Sequence, residues 1–128
     1  MNKVITILIT LLLTQTTFAQ FSGEGAGTES NPYRICNAIQ LDQIRNFEGS
    51  GVVFELMNDI DIYDYLQENT GIYGWQPIPL FKGVLKGNNH VIKGLYVNTK
   101  ERVAFFDLIQ YATIKDLGLE YTKVSSSL

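Results

Sequence analysis

Three carboxylates crowd into one short stretch, Asn58-Asp59-Ile60-Asp61-Ile62-Tyr63-Asp64. Two carboxylates on one strand face could flank a glycosidic bond or ligate calcium. Asp59 and Asp61 are two apart, so in a strand they point the same way. Neighbours at that spacing sit side by side rather than across a cleft, and no Asp-x-Asp-x-Asp-Gly loop is present. The geometry therefore favours a structural reading, with Asp59 bonding to nearby backbone N–H groups and Asp61 solvated. His90 has no second ligand type near it in sequence, which suits a turn hydrogen bond better than metal or acid–base work. Cys36 follows Tyr33-Arg34-Ile35; this apolar context predicts a buried, inert thiol, and nothing links it to a base. The glycines of Gly23-Glu24-Gly25-Ala26-Gly27 lack the preceding strand and directly following helix of a phosphate-binding fingerprint. No catalytic residue, metal ligand or cofactor is assigned. The ligand-contact candidates are Tyr63, Tyr65, Tyr73 and Trp75, because flat aromatic faces stack on sugars and insertions in stacked folds form binding faces; packing is the competing reading for all four, evenly weighed for the tyrosines and favoured for Trp75.

These residues must be held by short strands. The spacing apolar-x-x-apolar-x-apolar occurs at Met57/Ile60/Ile62, Ile92/Leu95/Val97 and Ile114/Leu117/Leu119. The second and third copies are 22 residues apart and the first and second 35. Repeats of this length signal a stacked architecture in which each unit buries its apolar face on the next. A period near 22 is too short for a helix pair and suits one coil of short strands, so Ile92 is expected to lie over Ile114. Residues 63–80 are the main insertion and carry all four aromatic candidates.

Residues 1–19 read as a secretory signal peptide: Lys3 at the start, an uncharged apolar run from Val4 to Leu13, and Thr17-Phe18-Ala19 at the cut. That run is about half the ~20 residues needed to span a bilayer, and no later stretch is apolar enough to cross one. The exported part would hold 109 residues (128 less 19) and a net charge of −4 (−3 less Lys3). No basic patch exists, which argues against nucleic acid. With one cysteine there is no internal disulfide, so stability must come from a core or from stacking neighbours.

Residues 20–32 are a Gly- and Ser-rich lead-in ending at Pro32. Tyr33-Arg34-Ile35 is a short strand. Asn37 is a helix N-cap, with Ala38, Ile39, Leu41 and Ile44 at helical spacing, predicting a cap helix near 37–46. Val52 to Met57 alternates as a strand. Phe81 to Leu85 and His90 to Val97 are strands flanking Gly87-Asn88-Asn89, a turn that tolerates positive φ. Ile114 to Tyr121 is the last, and nothing in the tail from Lys123 resembles a cap.

Several blocks, in order, resemble exported GLUG-motif proteins. Gly25-Ala26-Gly27-Thr28, Asn31-Pro32-Tyr33-Arg34-Ile35 and Gln40-Leu41 are similar to their G-x-G-T…P-Y-x-I…Q-L opening. Phe54-Glu55-Leu56 with Asn58-Asp59-Ile60-Asp61-Ile62 resembles their F-x-L-x-x-D-I-D-L segment, and Trp75-Gln76-Pro77-Ile78 their W-x-P-I. The run from Phe81 to Leu95 resembles F-x-G-x-x-D-G-N-G-H-x-I-x-G-L, with Lys86 in place of the acidic residue. Ala104-Phe105-Phe106-Asp107 stands where the motif has G-L-F-G, so the repeat is degenerate there. The resemblance covers residues 25–119 and implies a bacterial surface protein, notably of gut Bacteroidetes, related to repeats beside immunoglobulin A1-specific metallopeptidases.

The resulting expectation is an all-β fold: about three coils of a right-handed parallel β-helix of the pectin-lyase-like kind, behind a short N-terminal capping helix. The expected role is a non-enzymatic, secreted or cell-surface scaffold or adhesin-like module, an N-terminal piece of something longer. Its partner would be a glycan or a host or bacterial surface protein. The alternatives are a carbohydrate-active β-helix lyase or glycosidase, which needs opposed carboxylates on one face, and an accessory repeat of a surface peptidase. No His-Glu-x-x-His occurs, so the chain alone is not that peptidase.

Overall fold

The computed structural model describes residues 20–97 and 104–122. The leader at 1–19 and the tail from Lys123 lie outside the described residues. In chain order the elements are β1 (Tyr33–Ile35), α1 (Ala38–Asp42) continued by a 3-10 turn (Gln43–Asn46), β2 (Val53–Leu56) and β3 (Ile60–Asp61). Next come α2 (Tyr63–Asn69) with a 3-10 turn (Gly71–Tyr73), β4 (Val84–Leu95) and β5 (Thr113–Tyr121). The strands form one sheet in the order β1-β2-β4-β3, with β5 also on β4, and every pairing between them is parallel.

The register sets inward residues one above another. Tyr33 pairs with Phe54, Phe54 with Leu85 and Leu85 with Ile114. A second column runs Ile60, Ile92, Leu119. Isolated parallel bridges join Ile78 to Phe106 and Phe81 to Ile109. Phe54, Leu85, Ile92, Ile78 and Phe81 are all fully buried. Between the two columns β4 turns a corner at Asn88 and Asn89, both left-handed with φ of 51° and 63°, a conformation short Asx side chains tolerate. The corners are tied across rungs, because the Asn58 amide donates to the Cys36 carbonyl and that of Asn88 to the Leu56 carbonyl. A carbonyl at a bend has no ladder partner, and such a donor satisfies it.

The first rung is closed over. Asn37 caps α1 by accepting from the Gln40 N–H at 2.9 Å, while Gln40 Oε1 accepts from the Cys36 N–H at 2.7 Å, a reciprocal exchange that satisfies two otherwise orphan donors. Leu41 and Ile44 then go into the core. The lead-in is bonded on as well: the Glu24 carbonyl accepts from Arg34 N–H and the Gly27 carbonyl from Val53 N–H. Phe21 is buried among Tyr33, Phe47 and Phe54.

Three expectations change, and one element was not anticipated. Ile92 does not lie over Ile114; it pairs with Leu119, and Ile114 pairs with Leu85. The reason is corner length. Between paired positions β4 spends Gly87, Asn88 and Asn89 where β5 spends only Asp116, so equal spacings in sequence do not become equal heights in space. Cys36 is exposed rather than buried. Ile35 points inward, and the residue after it falls on the outer face. Leu119 is exposed and Ile114 and Leu117 are only half-buried, because among the described strands β5 has a neighbour on one side only. The insertion at 63–80 holds α2, a seven-residue helix whose single buried residue, Leu66, leaves no periodicity to read.

Candidate functional site

The four aromatic candidates do not form one surface. Tyr63 and Tyr65 are two apart on α2, a spacing that sends side chains to opposite sides of a helix. Tyr63 leans over the sheet, its ring 5.4 Å from that of Tyr96. It edges a shallow groove of about 340 Å³ together with Asp61, Asp64, Lys93, Gly94, Glu120 and Thr122. Register builds this groove: Asp61 pairs with Lys93, and Glu120 follows Leu119, which pairs with Ile92. Tyr63 remains 38% exposed.

Tyr65 faces the other way, towards the cap. Its hydroxyl donates to Asp42 Oδ2 at 2.7 Å, and Asp42 Oδ1 takes Arg45 Nε at 2.6 Å. Arg45 also donates to the Gln76 carbonyl at 2.9 Å and lies 5.1 Å above the Trp75 ring. Burial, with the Asp42 carboxylate as hydrogen-bond partner and neighbour, pushes the Tyr65 hydroxyl up to about 12. It stays protonated and acts as a donor that clips α2 to the cap helix. A small groove of about 230 Å³ opens beside this network.

Trp75 is a core residue, the favoured of its two readings, and does not offer a ligand contact. It is 1% exposed, its Nε1 donates to the Phe105 carbonyl at 3.0 Å, and its ring stacks on Phe105 at 4.7 Å and 5°. An indole is large and carries one donor, so a well-shaped slot with an acceptor at the end suits it. Tyr73 is 60% exposed, beside Ile72 at 70%. Of the candidates, Tyr63 and Tyr73 thus offer the open faces.

Two of the three carboxylates bond to backbone within the fold. Asp59 Oδ1 accepts from the Val91 N–H at 2.9 Å and lies 3.3 Å from His90 Nδ1, while Lys93 Nζ is 3.7 Å from Oδ2. The bond to Val91 spans rungs, not a local turn. It holds the Asp59 carboxyl below the usual carboxylate range, with His90 and Lys93 adding to the effect. Asp61 is exposed and also accepts from the Tyr63 N–H at 3.0 Å, which fixes the start of α2. Among the described residues no three of His, Cys, Asp and Glu are placed to hold a metal ion. Asp42, Arg45, Lys93 and Glu120 were not singled out from sequence. Only the Asp42–Arg45 spacing of three carried a signal, as a helical ion pair.

Asp59 gives a pH dependence with a definite sign. A folded-state pKa below the unfolded one adds stability above the unfolded pKa, and that stability is lost as pH falls through the folded value. Asp59→Asn is expected to lower the melting temperature slightly at pH 7. Melts taken down through the carboxylate range should bring variant and wild type together. A gap that is unchanged by acid would show that the charge on Asp59 does nothing.

No family model matches this chain, and no solved structure matches it. A protein of Evansella cellulosilytica bearing the name "Putative Gly-rich membrane protein" is 43% identical over 82 residues. The match covers 61% of this chain and 9% of that protein, so the chain spans less than a tenth of its relative's length. Among the described residues no helix is long and apolar enough to cross a membrane.

Proposed function

We propose that this chain is a non-enzymatic, exported cell-surface scaffold, a stretch of right-handed parallel β-helix that displays adhesive contacts. The observation that carries the reading is the column Tyr33, Phe54, Leu85, Ile114, in which each inward residue is covered by the next rung. Such a stack supplies length and a regular outer face without needing a catalytic cleft. The uses found for Asp59 and Asp61 favour the scaffold over a lyase or glycosidase, since both carboxylates accept backbone N–H bonds. The GLUG-like blocks and a relative named as a membrane protein support placement at the cell envelope. Tyr63 and Tyr73 are the contact residues for a glycan or a surface protein.

The test expresses the full chain with its own leader in a bacterial host. Export and protease accessibility on intact cells are expected, with retention on polysaccharide-coated surfaces that falls on Tyr63→Ala or Tyr73→Ala. Retention in the cytoplasm would remove the surface reading. Release of shortened or unsaturated sugars from those coatings would replace the scaffold with an enzyme.

A further inference from the structure

The exported chain would begin one residue before the first residue that the fold holds. Phe21 is 6% exposed and sits among the rings of Tyr33, Phe47 and Phe54, with centroids 4.7–6.4 Å away. Ser22 is tied down beside it: its N–H donates to Gln43 Oε1 at 2.9 Å and its hydroxyl to the same oxygen at 3.1 Å. Gly23 has no room for a side chain, since a Cβ there would stand 2.6 Å from the Phe21 ring and 2.8 Å from the Arg34 carbonyl oxygen. Further on, the Glu24 and Gly27 carbonyls take the Arg34 and Val53 N–H groups. From residue 21 onward the lead-in is therefore packed and bonded to the first rungs. Gln20 is left over. It is exposed, and its side chain makes no hydrogen bond among the described residues.

We infer that Gln20 is a modification site: it becomes the first residue on export and closes on itself to a pyroglutamyl lactam. This rests on the export reading, because the cut after Thr17-Phe18-Ala19 is what frees the α-amine. That amine attacks Cδ, the side-chain carbonyl carbon of its own residue. A C–N bond forms to the α-nitrogen, the bond from Cδ to the amide nitrogen breaks, and ammonia leaves. No oxidant or other reactant is needed. Ring closure requires the side chain to fold back onto its own α-nitrogen, and an exposed side chain without a partner can do so. The seated Phe21 does not obstruct it, since the ring is built from atoms of residue 20 alone. The product also suits its place in the fold. An uncyclised α-amine is mostly charged at neutral pH, and it would stand one residue from the buried Phe21 ring. Charge held against apolar surface loses hydration, and the lactam removes that charge. It also removes the amine that an aminopeptidase must grip, and the residue after it is locked in the core. The lead-in thus ends in a neutral, blocked tip.

Intact mass spectrometry on the full chain, expressed with its leader and recovered after export, reads the result directly. The expected mass is that of residues 20–128 less one ammonia, on isolation or after incubation at neutral pH. A general aminopeptidase should leave the incubated wild type untouched. Gln20→Ser cannot form the lactam; it should lose residue 20 and then resist, because Phe21 is held. Pyroglutamyl peptidase should remove residue 20 from the wild type and from no such variant. An exported chain that starts at Gln20 and keeps its amine through the incubation overturns the inference and leaves export standing. So does an exported chain whose first residue is not Gln20, or trimming of wild type and Gln20→Ser alike. A chain that stays in the cytoplasm with its leader attached overturns both readings.

Discussion

Trp75→Ala is expected to cost about 3–5 kcal/mol, the range for emptying a buried large aromatic site. Three losses coincide there. The ring contact with Phe105 goes, the Arg45 guanidinium loses the face it covers, and the Phe105 carbonyl loses its indole donor. A small domain holds only about 5–15 kcal/mol in all, so much of the stability of the fold would vanish with this one side chain. Trp75→Phe keeps one aromatic ring for the stack but loses the donor and part of the volume, so a smaller loss of about 1–3 kcal/mol is expected. Urea unfolding followed by circular dichroism measures both. A near-neutral Trp75→Ala would mean that the insertion does not pack on the stack as described.

Gly74→Ala should be as damaging, through the backbone rather than through packing. Gly74 has φ 72° and ψ −150°, a region open in practice to glycine alone. A Cβ there would stand 2.0 Å from the Tyr96 carbonyl oxygen. That oxygen already accepts the Trp75 N–H at 2.8 Å, so it cannot move aside without breaking the bond that seats the indole. A loss of about 3 kcal/mol or more is expected, combining strain of about 1–3 kcal/mol with the collision. Gly71→Ala is the internal control. Its φ is 54°, and nothing lies within 4 Å of an added Cβ, so only about 1 kcal/mol of left-handed strain is expected. Equal losses at the two glycines would show that the Tyr96 carbonyl is not where the structure puts it.

Both sites lie in the insertion, the part of the chain least legible beforehand. The block Trp75-Gln76-Pro77-Ile78 drew attention for its aromatic, and sequence alone left it between a sugar-stacking surface and the core. What decides is Phe105, thirty residues further on, whose ring and carbonyl fit the indole. The same holds for Tyr65. Nothing local marks it as the clip to Asp42, because the partner belongs to the cap helix.

Local chemistry was enough to read the strand-rich character, the Asn37 cap and the left-handed asparagines at 88 and 89, since each depends on a residue and its immediate neighbours. Heights in the stack were another matter. Ile60 is the second member of its apolar triplet, Ile92 the first and Leu119 the third, yet these three share a column. Identical triplets can be superposed at several offsets, and only the number of residues spent at each corner selects one. That number follows from backbone closure against the neighbouring rung, which exists only once the chain has folded.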